Sequence, residues 1–483
     1  MIRVNAILVA ASVIGAMMIA SVPRFAGAAP PNIVWIIADD LGPELGCYGY
    51  GDVATPNLDR LAASGRMYTQ AFSTAPVCSA SRTAFQTGRY QTTIGGHHHN
   101  TRDKRELPGS VSPVTELMRE AGYFVCNGRG VADDLRTAKS HFNFVYQDST
   151  FFDGHDWSQR EPGQPFFAQV QIKEPHRAHV PSKRPRPDAV IPPYYPDHAV
   201  TRADWANYLA SIEVLDRKVG AVMSRLEAEG ERENTLVLFF GDHGRPHVRG
   251  KQWLYDGGIH TPFIASWPSC LDGGGVESGL VSLLDAMPTT LAAAGVAIPD
   301  GLVGMDLLAD VWEGHEQVFS ARDRCGDAAD RIRAVRTADL KYIRNYQTDV
   351  PYMQHSGYKK LAYPVVTLMK VLHADGKFDS PFMASTRPRE ELYDLTEDPH
   401  ELTNLAEDPR YAEQLAKLRH AVEQWVIDTG DRGEIDESET VDMHAVMLEK
   451  RNYYERAMRK RGLDPEIADR DYLAWWVEQL GIE

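Results

Sequence analysis

Two pairs of reactive residues each stand directly after an apolar run in this sequence. Asp39 and Asp40 follow one run, and Asp242 and His243 follow another after a single glycine. Adjacent carboxylates repel each other unless a cation or strong donors lie between them, and three carboxylates in one cleft suit a hard divalent cation. A lone Asp-Asp pair more often caps a turn or a helix. Because the second pair is placed in the same way, we predict that all four residues bind a metal ion.

His243 leaves the identity of that metal open. Calcium prefers a shell made only of oxygen ligands, whereas an imidazole ligand also suits zinc or manganese. We expect calcium, with another divalent cation as the alternative.

Cys78 lies among small polar residues and precedes Arg82 and Arg89. We predict a short helix from Ser79 to Gln86, which places Cys78 at its N-terminus, where backbone N–H groups favour an anion. The thiol could be a packed core group, a metal ligand, a disulfide partner or a nucleophile. The spacing to Arg82 is too short for a thiol phosphatase loop, and spacing alone supplies no histidine base for a cysteine peptidase. The two arginines favour an anion pocket over a core position.

The apolar runs are typical of strands in a parallel sheet that is covered on both faces. They span residues 32–38, 166–172 and 235–240, and the third reactive end is His176, shortly after the middle run. Helical spacing predicts helices from Thr115 to Ala121 and from Asp204 to Gly230. We therefore predict an α/β fold with a mixed, mostly parallel sheet sandwiched by helices. Ligands bind beyond the carboxyl ends of such strands, so the three reactive ends should converge.

The chain past residue 315 has a different pattern. Short, half-exposed strands are predicted from Lys341 to Tyr346 and from Glu391 to Leu395, and a helical tail is predicted around 444–461. We expect a catalytic α/β domain over residues 29–315. A smaller C-terminal α+β unit with an antiparallel sheet would occupy residues 316–483.

The N-terminus has the layout of a signal peptide. Arg3 is followed by an apolar run over residues 6–20, and small residues follow at 26–28. The run falls short of the roughly 20 residues that span a bilayer, so an uncleaved anchor is the less favoured alternative. We expect export to the periplasm or the exterior, cleavage after Ala28 and no stable membrane insertion. Removing two arginines in this way takes the formal charge from -16 to -18, which disfavours nucleic acid as a partner.

The five cysteines form no CxxC pair and no zinc-type spacing. An odd number in an exported protein leaves at least one thiol unpaired. Apart from Cys78, two disulfides could form among Cys47, Cys126, Cys270 and Cys325, and their pairing stays open.

The segment from Cys78 to Arg82, followed by Thr87-Gly88-Arg89, resembles the signature of the type I sulfatase family. In that signature Cys, any residue, Pro, Ser and Arg precede Thr-Gly-Arg, and Ala80 stands here in place of the proline. Other family motifs occur in the same order, so the resemblance covers most of the mature chain: residues 32–41, 55–61, 241–244, 251–258 and 392–404. It implies an alkaline-phosphatase-like fold and a relationship to arylsulfatases and N-sulfoglucosamine sulfohydrolases.

The resemblance also implies roles for particular residues. Cys78 is converted to formylglycine by a sulfatase-maturing enzyme, and the hydrate of that aldehyde supplies the nucleophile. Residue 78 then joins the four metal ligands named above. Arg82 stabilises the hydrate, Lys251 binds a sulfate oxygen, and His176 protonates the departing oxygen as a general acid.

Three further assignments follow the family pattern less closely. Family members usually carry Gly-Lys-Trp-His where this chain has Asn127-Gly-Arg-Gly130, and the Lys-x-His spacing returns at Lys139 and His141. We assign hydrate and sulfate binding to that pair, with Arg129 as the alternative.

His97 begins a tract of three histidines. Three consecutive imidazoles cannot all face one ion, so we predict a loop that contacts substrate.

These observations predict an exported hydrolase of sulfate esters that acts on a sulfated glycan or on another small sulfate ester. An N-sulfate on an amino sugar is a variant of the same prediction. The alternatives are a phosphodiesterase or phosphonate monoester hydrolase of the same fold, and an inactive homologue that binds glycans.

Overall fold

The computed structural model describes residues 29–102, 104–132, 134–136, 138–184, 186–431 and 443–482, so the predicted signal peptide lies outside the described residues. Its strands form a seven-stranded sheet, in the order β3-β4-β1-β5-β6-β2-β7, and a separate four-stranded sheet, in the order β11-β10-β9-β8. The strands are β1 (Asn32–Asp39), β2 (Arg66–Phe72), β3 (Phe124–Gly128), β4 (Phe166–Pro175), β5 (Thr235–Gly241), β6 (His260–Ser266), β7 (Gly275–Ser282), β8 (Val318–Arg322), β9 (Ile332–Arg336), β10 (Leu340–Asn345) and β11 (Glu390–Asp394).

Helices cover both faces of the larger sheet and pack on the smaller one. They are α1 (Pro56–Ala63), α2 (Cys78–Thr87), α3 (Val114–Glu120), α4 (Asp148–Phe151), α5 (Ala199–Ala228), α6 (Asp256–Ile259), α7 (Ala286–Ala293), α8 (Gly357–Ala362), α9 (Pro364–Ala374), α10 (Ala412–Asp428), α11 (Met443–Lys460) and α12 (Asp469–Gln479).

The larger sheet is mostly parallel, as the apolar runs predict. Among its strands, β6 alone runs antiparallel to both neighbours. All eight residues of β1 are buried, since aromatic side chains pack on one face and α5 packs on the other. On the first face Trp35 makes edge contacts with Phe85, Phe167 and Phe240 at 5.1–5.9 Å between ring centroids. The predicted mixed α/β fold is confirmed.

Helix α5 starts five residues before the predicted start at Asp204. His198 caps it, because its Nδ1 accepts a hydrogen bond from the backbone N–H of Val200. The first turn was missed because the apolar spacing used for the prediction becomes regular only from Leu209 onward. The predicted helix from Thr115 to Ala121 corresponds to α3, shifted by one residue.

The smaller sheet is antiparallel throughout and lies within residues 316–483. Its strands β10 and β11 match the two predicted half-exposed strands, and α11 matches the predicted helical tail. Helix α10 packs on this sheet through Leu418 and Val422, which contact Val335 and Tyr342. The boundary at residue 315 stays a prediction.

Two properties concern the whole described chain. All five cysteines lie in described segments, and all are free thiols. Across these segments, no helix is both long enough and apolar enough to cross a bilayer.

Candidate active site

The carboxyl ends of three strands meet at one place on the larger sheet. Strands β4, β1 and β5 are adjacent and parallel, so the loops that follow them begin side by side. The backbone N–H of Asp40 donates to Oδ1 of Asp242 at 3.0 Å, across 202 positions of sequence. Asp40 has a φ of 65°, a left-handed conformation that Asp tolerates better than most residues. The predicted convergence of the reactive strand ends is confirmed.

Cys78 is the first residue of α2 and lies against this cluster. Its Sγ is 3.2 Å from Nζ of Lys251, 3.4 Å from Nε2 of His243 and 3.7 Å from Oδ1 of Asp40. The residue is only 2% exposed. Burial raises the pKa of the thiol, but Lys139, Lys251 and His243 together lower it well below its usual value. The side chain at position 78 is therefore held in a field that favours an anion.

Each of the three carboxylates is paired with a lysine or arginine side chain. The pairs are Lys139 with both oxygens of Asp39 (2.8 and 2.8 Å), Lys251 with both oxygens of Asp40 (2.7 and 3.0 Å), and Arg82 with Oδ2 of Asp242 (2.8 Å). A buried charge that loses its partner is strongly destabilised. The six side chains therefore hold one another in place around position 78.

The donor atoms of the cluster fit a divalent cation. Asp40, Cys78 and His243 each offer a ligand atom, as do Asp39, Cys78 and Asp242, and within each group these atoms lie within 4.8 Å of one another. Burial lowers the pKa of His243, but Asp242 and Asp40 raise it to about 10. The carboxylates therefore create a potential that stabilises positive charge, and oxygen ligands with one imidazole suit calcium, manganese or zinc.

Three histidines surround the thiol and the carboxylates. His141 and His99 lie close to the Cys78 side chain, and burial lowers the pKa of His99 to about 4. On the other side, Nδ1 of His176 lies 2.5 Å from the backbone oxygen of Arg177, and its Nε2 lies 3.8 Å from Oδ2 of Asp40. Nδ1 of His176 thus donates to the backbone, which leaves Nε2 directed at the site.

Comparison of the chain with known proteins identifies its family. Residues 31–296 match the family model described as Sulfatase, and residues 241–353 match the model described as N-sulphoglucosamine sulphohydrolase, C-terminal. The chain is 31% identical over 462 residues to an ulvan-active sulfatase of Formosa agariphila, covering 85% of this chain and 77% of that protein. The chain belongs to the sulfatase family. It is therefore a sulfuric ester hydrolase.

This sulfatase also resembles other proteins over most of its length. It is 27% identical over 480 residues to human N-sulphoglucosamine sulphohydrolase, covering 84% of this chain and 91% of that protein. A structure solved with D-glucosamine-2-N,6-O-disulfate as its substrate superposes with a TM-score of 0.61 at 18% identity, covering 84% of this chain and 100% of that one. For the phosphonate monoester hydrolase of Agrobacterium radiobacter the TM-score is 0.58 at 18% identity, with coverages of 83% and 96%. The two structural likenesses show the fold alone.

Two residues predicted to contact substrate lie at the edge of the sulfatase site. Arg129 lines a cavity of about 440 Å³ that also reaches Arg82 and Lys139. His97 packs its ring against that of His98, with 4.5 Å between the ring centroids. Within the histidine tract, His99 is thus the residue that lies beside Cys78.

Sequence reasoning missed three residues that complete the site. His99 stood in the tract of histidines, but spacing could not show which ring turns inward. Gln171, which accepts from Nη1 of Arg82 at 2.7 Å, lies on β4, a predicted strand with a recognised reactive end. Tyr358 comes from α8, and its ring centroid lies 5.7 Å from Nζ of Lys251 and 6.4 Å from the ring of His176. No pattern in the sequence connected Tyr358 with this site.

Proposed function

We propose that this sulfatase cleaves sulfate esters on a glycan and uses formylglycine, made from Cys78, as its nucleophile. The observation that carries the proposal is the position of residue 78, which faces Asp40, His243 and Lys251 at 3.2–3.7 Å. The substrate class is supported by the names of two relatives, one active on ulvan and one on N-sulphoglucosamine. A nucleophile held between a cation site and basic side chains suits attack on an anionic ester.

A divalent cation, for which calcium is expected, would be held by Asp39, Asp40, Asp242, His243 and residue 78. Bound there, it would withdraw charge from the attacking hydroxyl of the formylglycine hydrate and from the sulfate group. The three basic side chains paired with the carboxylates keep those ligands oriented.

Two of these basic side chains would also bind the sulfate group. Nζ of Lys251 is close enough to residue 78 to donate to an oxygen of an ester placed beside it. Lys139 and His141 approach the same residue from the loop after β3, and His141 would orient its hydroxyl. Arg82, held by Asp242 and Gln171, would stabilise the hydrate. Arg129 and His97 would contact the remainder of the substrate.

His176 would protonate the leaving alcohol. Its Nδ1 is held by the backbone oxygen of Arg177, so Nε2 can carry the proton toward the ester oxygen. The side chain is 25% exposed, which lets a bulky leaving group reach it. Proton donation of this kind typically contributes about 10²–10⁴-fold to the rate.

The same proposal places the enzyme outside the cytoplasm. Residues 1–28 would direct export and be removed after Ala28, and a sulfatase-maturing enzyme would oxidise Cys78. Residues 29–315 would form the catalytic domain, and residues 316–483 would form a subdomain that contributes Tyr358 to the site.

Two measurements test the proposal. Mass spectrometry of the peptide that contains residue 78, from protein made in its native host, should show the lower mass of formylglycine; an unmodified thiol throughout an active preparation would refute the nucleophile. A panel of defined sulfated saccharides, with the matching phosphate esters as controls, should give turnover only with the sulfates. Cleavage of aryl sulfates with none of the saccharides would refute the glycan substrate while leaving the nucleophile untouched.

A further inference from the structure

A second cluster of metal-ligand side chains lies beside the catalytic site. His179, Asp204 and His247 each offer one ligand atom, and these atoms lie within 4.8 Å of one another. They come from three elements: the loop after β4, helix α5 and the loop after β5. The first loop also carries His176 and the second also carries His243, but the catalytic roles proposed above use none of the three residues.

The two histidines of this cluster lack hydrogen bonds. Both ring nitrogens of His179 and both of His247 are buried, and none has a hydrogen-bond partner among the residues that the structure describes. His247 is only 2% exposed. Unsatisfied buried polar groups are costly, and in native proteins they are normally satisfied by a water molecule or an ion. Unpaired ring nitrogens from two histidines beside one carboxylate therefore point to a bound ligand.

The distances in the cluster match the spacing of ligands around zinc. Nε2 of His247 lies 3.5 Å from Oδ2 of Asp204, beyond the usual hydrogen-bond range of about 2.7–3.2 Å. Two ligands of one tetrahedral zinc ion, each about 2.0–2.1 Å from it, lie about 3.3–3.4 Å apart. The rings of His179 and His247 have centroids 5.7 Å apart, and two imidazoles on such an ion have centroids about 5 Å apart.

Arg177 donates to both oxygens of Asp204 without preventing ligation. Its Nη1 and Nη2 lie 2.7 and 2.6 Å from the two oxygens, and each carboxylate oxygen keeps a second lone pair. Hydrogen-bond donors behind a ligating carboxylate orient it toward the metal. In the catalytic site, Arg82 likewise donates to Asp242, through Nε and to one oxygen only.

Aromatic rings around His247 would shield a bound ion from bulk solvent. The rings of Trp205 and Tyr208 have centroids 5.0 and 4.9 Å from that of His247. An apolar shell of this kind limits solvent access to a metal and strengthens its bonds to the protein.

We propose that His179, Asp204 and His247 bind a zinc ion through three protein ligands, with a water molecule as its fourth ligand. Two imidazoles and one carboxylate suit zinc, whereas calcium prefers oxygen ligands. The ion would join α5 to the two loops that carry His176 and His243, and so fix the catalytic loops to the core. This site is independent of the function proposed above, because it requires neither formylglycine nor a glycan substrate.

The zinc content of the full chain tests the site. After treatment with a chelator, loading with excess Zn²⁺ and gel filtration, the wild-type chain should retain one zinc ion more than His247→Ala or His179→Ala. His420→Ala, which changes an exposed histidine on α10, should match the wild type. Because the comparison measures a difference, zinc that enters the catalytic site does not affect it. Equal zinc content in all four proteins would overturn the proposal.

A second measurement requires no variant and guards against misfolding. Crystals of the wild-type chain grown with zinc should give an anomalous scattering peak between the three side chains at the zinc absorption edge. Circular dichroism of the two alanine variants shows whether they keep the fold. Loss of zinc by a folded variant is thereby distinguished from misfolding. An ordered crystal with no anomalous peak at this position would refute the site, whatever the variants do.

Discussion

Two clusters of buried charge in this sulfatase are built in opposite ways. The first is the catalytic cluster, in which three carboxylates and three basic side chains surround residue 78. The second, which we call the arginine cluster, lies at the smaller sheet and joins arginines and aspartates to one another: Arg322 and Arg387 to Asp330, and Arg333 to Asp323 and Asp431. Most of its hydrogen bonds run between the charges, and the thiol beside it, Cys325, donates to the backbone oxygen of Asp323 at 3.5 Å while burial raises the pKa of that thiol.

The comparison shows that buried charge alone does not identify a functional site. Structural ion-pair networks also hold ionised groups in the core. The catalytic cluster differs because its cations and carboxylates converge on one sulfur atom, and Lys139, Lys251 and His243 lower the pKa of that thiol well below its usual value. Substitutions in the two clusters should therefore have different effects.

The largest effect is expected for Cys78→Ala. Removing the nucleophile should lower kcat by at least about 10⁴-fold, because binding and the charged pocket remain but no group attacks the ester. The buried site loses only one sulfur atom, so the melting temperature should change little. Turnover of an aryl sulfate and a thermal unfolding curve measure both quantities, and substantial residual turnover would show that another group attacks sulfur.

The two clusters are compared directly by Asp242→Asn and Asp330→Asn. The first change should lower kcat/KM by about 10³-fold and reduce the bound metal, because it removes a charged ligand. The second should lower the free energy of unfolding by about 3–5 kcal/mol, since it leaves Arg322 and Arg387 without their countercharge. The kcat per folded molecule should then stay at the wild-type value. If Asp330→Asn instead lowers kcat as much as Asp242→Asn, the distinction between the clusters is wrong.

His176→Ala tests whether the catalytic cluster needs a proton donor. The variant should lose about 10²-fold in kcat with an alkyl or sugar sulfate, whose leaving group needs a proton. It should lose little with 4-nitrophenyl sulfate, whose leaving group departs as an anion. An equal loss with both substrates would assign His176 a role in binding or positioning.

The smallest expected effect separates two members of the histidine tract. His99→Ala should lower kcat/KM by about tenfold, because its ring lies beside residue 78 and contributes one polar contact there. His97→Ala is the matched control, and its effect should be smaller because its ring packs against His98. Steady-state kinetics on the same saccharide sulfate measure both. A larger loss for His97→Ala than for His99→Ala would show that the contact of His97 with the substrate matters more than the position of His99 beside residue 78.

The sequence predicted the parts of the site that lie at strand ends. Uninterrupted apolar runs identify β1, β4 and β5, and the residues that follow such strands must meet at one edge of a parallel sheet. The inward turn of His99 depends on the conformation of an irregular loop, which has no periodic pattern. Tyr358 lies on α8, which follows strand β10, and it reaches the site only because the C-terminal part of the chain packs against the catalytic part. The arginine cluster also depends on packing between residues that are distant in sequence. Long-range packing of this kind leaves no trace in local spacing.

The hydrogen bond from Asp40 to Asp242 also has a consequence for the chain during its synthesis. Its two ends are 202 positions apart, so no ribosome-bound chain shorter than residue 242 can close the pocket. At typical elongation rates, synthesis from residue 78 to residue 242 takes on the order of 10 s. During that interval the finished pocket cannot yet enclose the thiol of Cys78. The thiol therefore stays accessible to chemical modification. Pairing of such distant strands is also intrinsically slow, which lengthens the interval further.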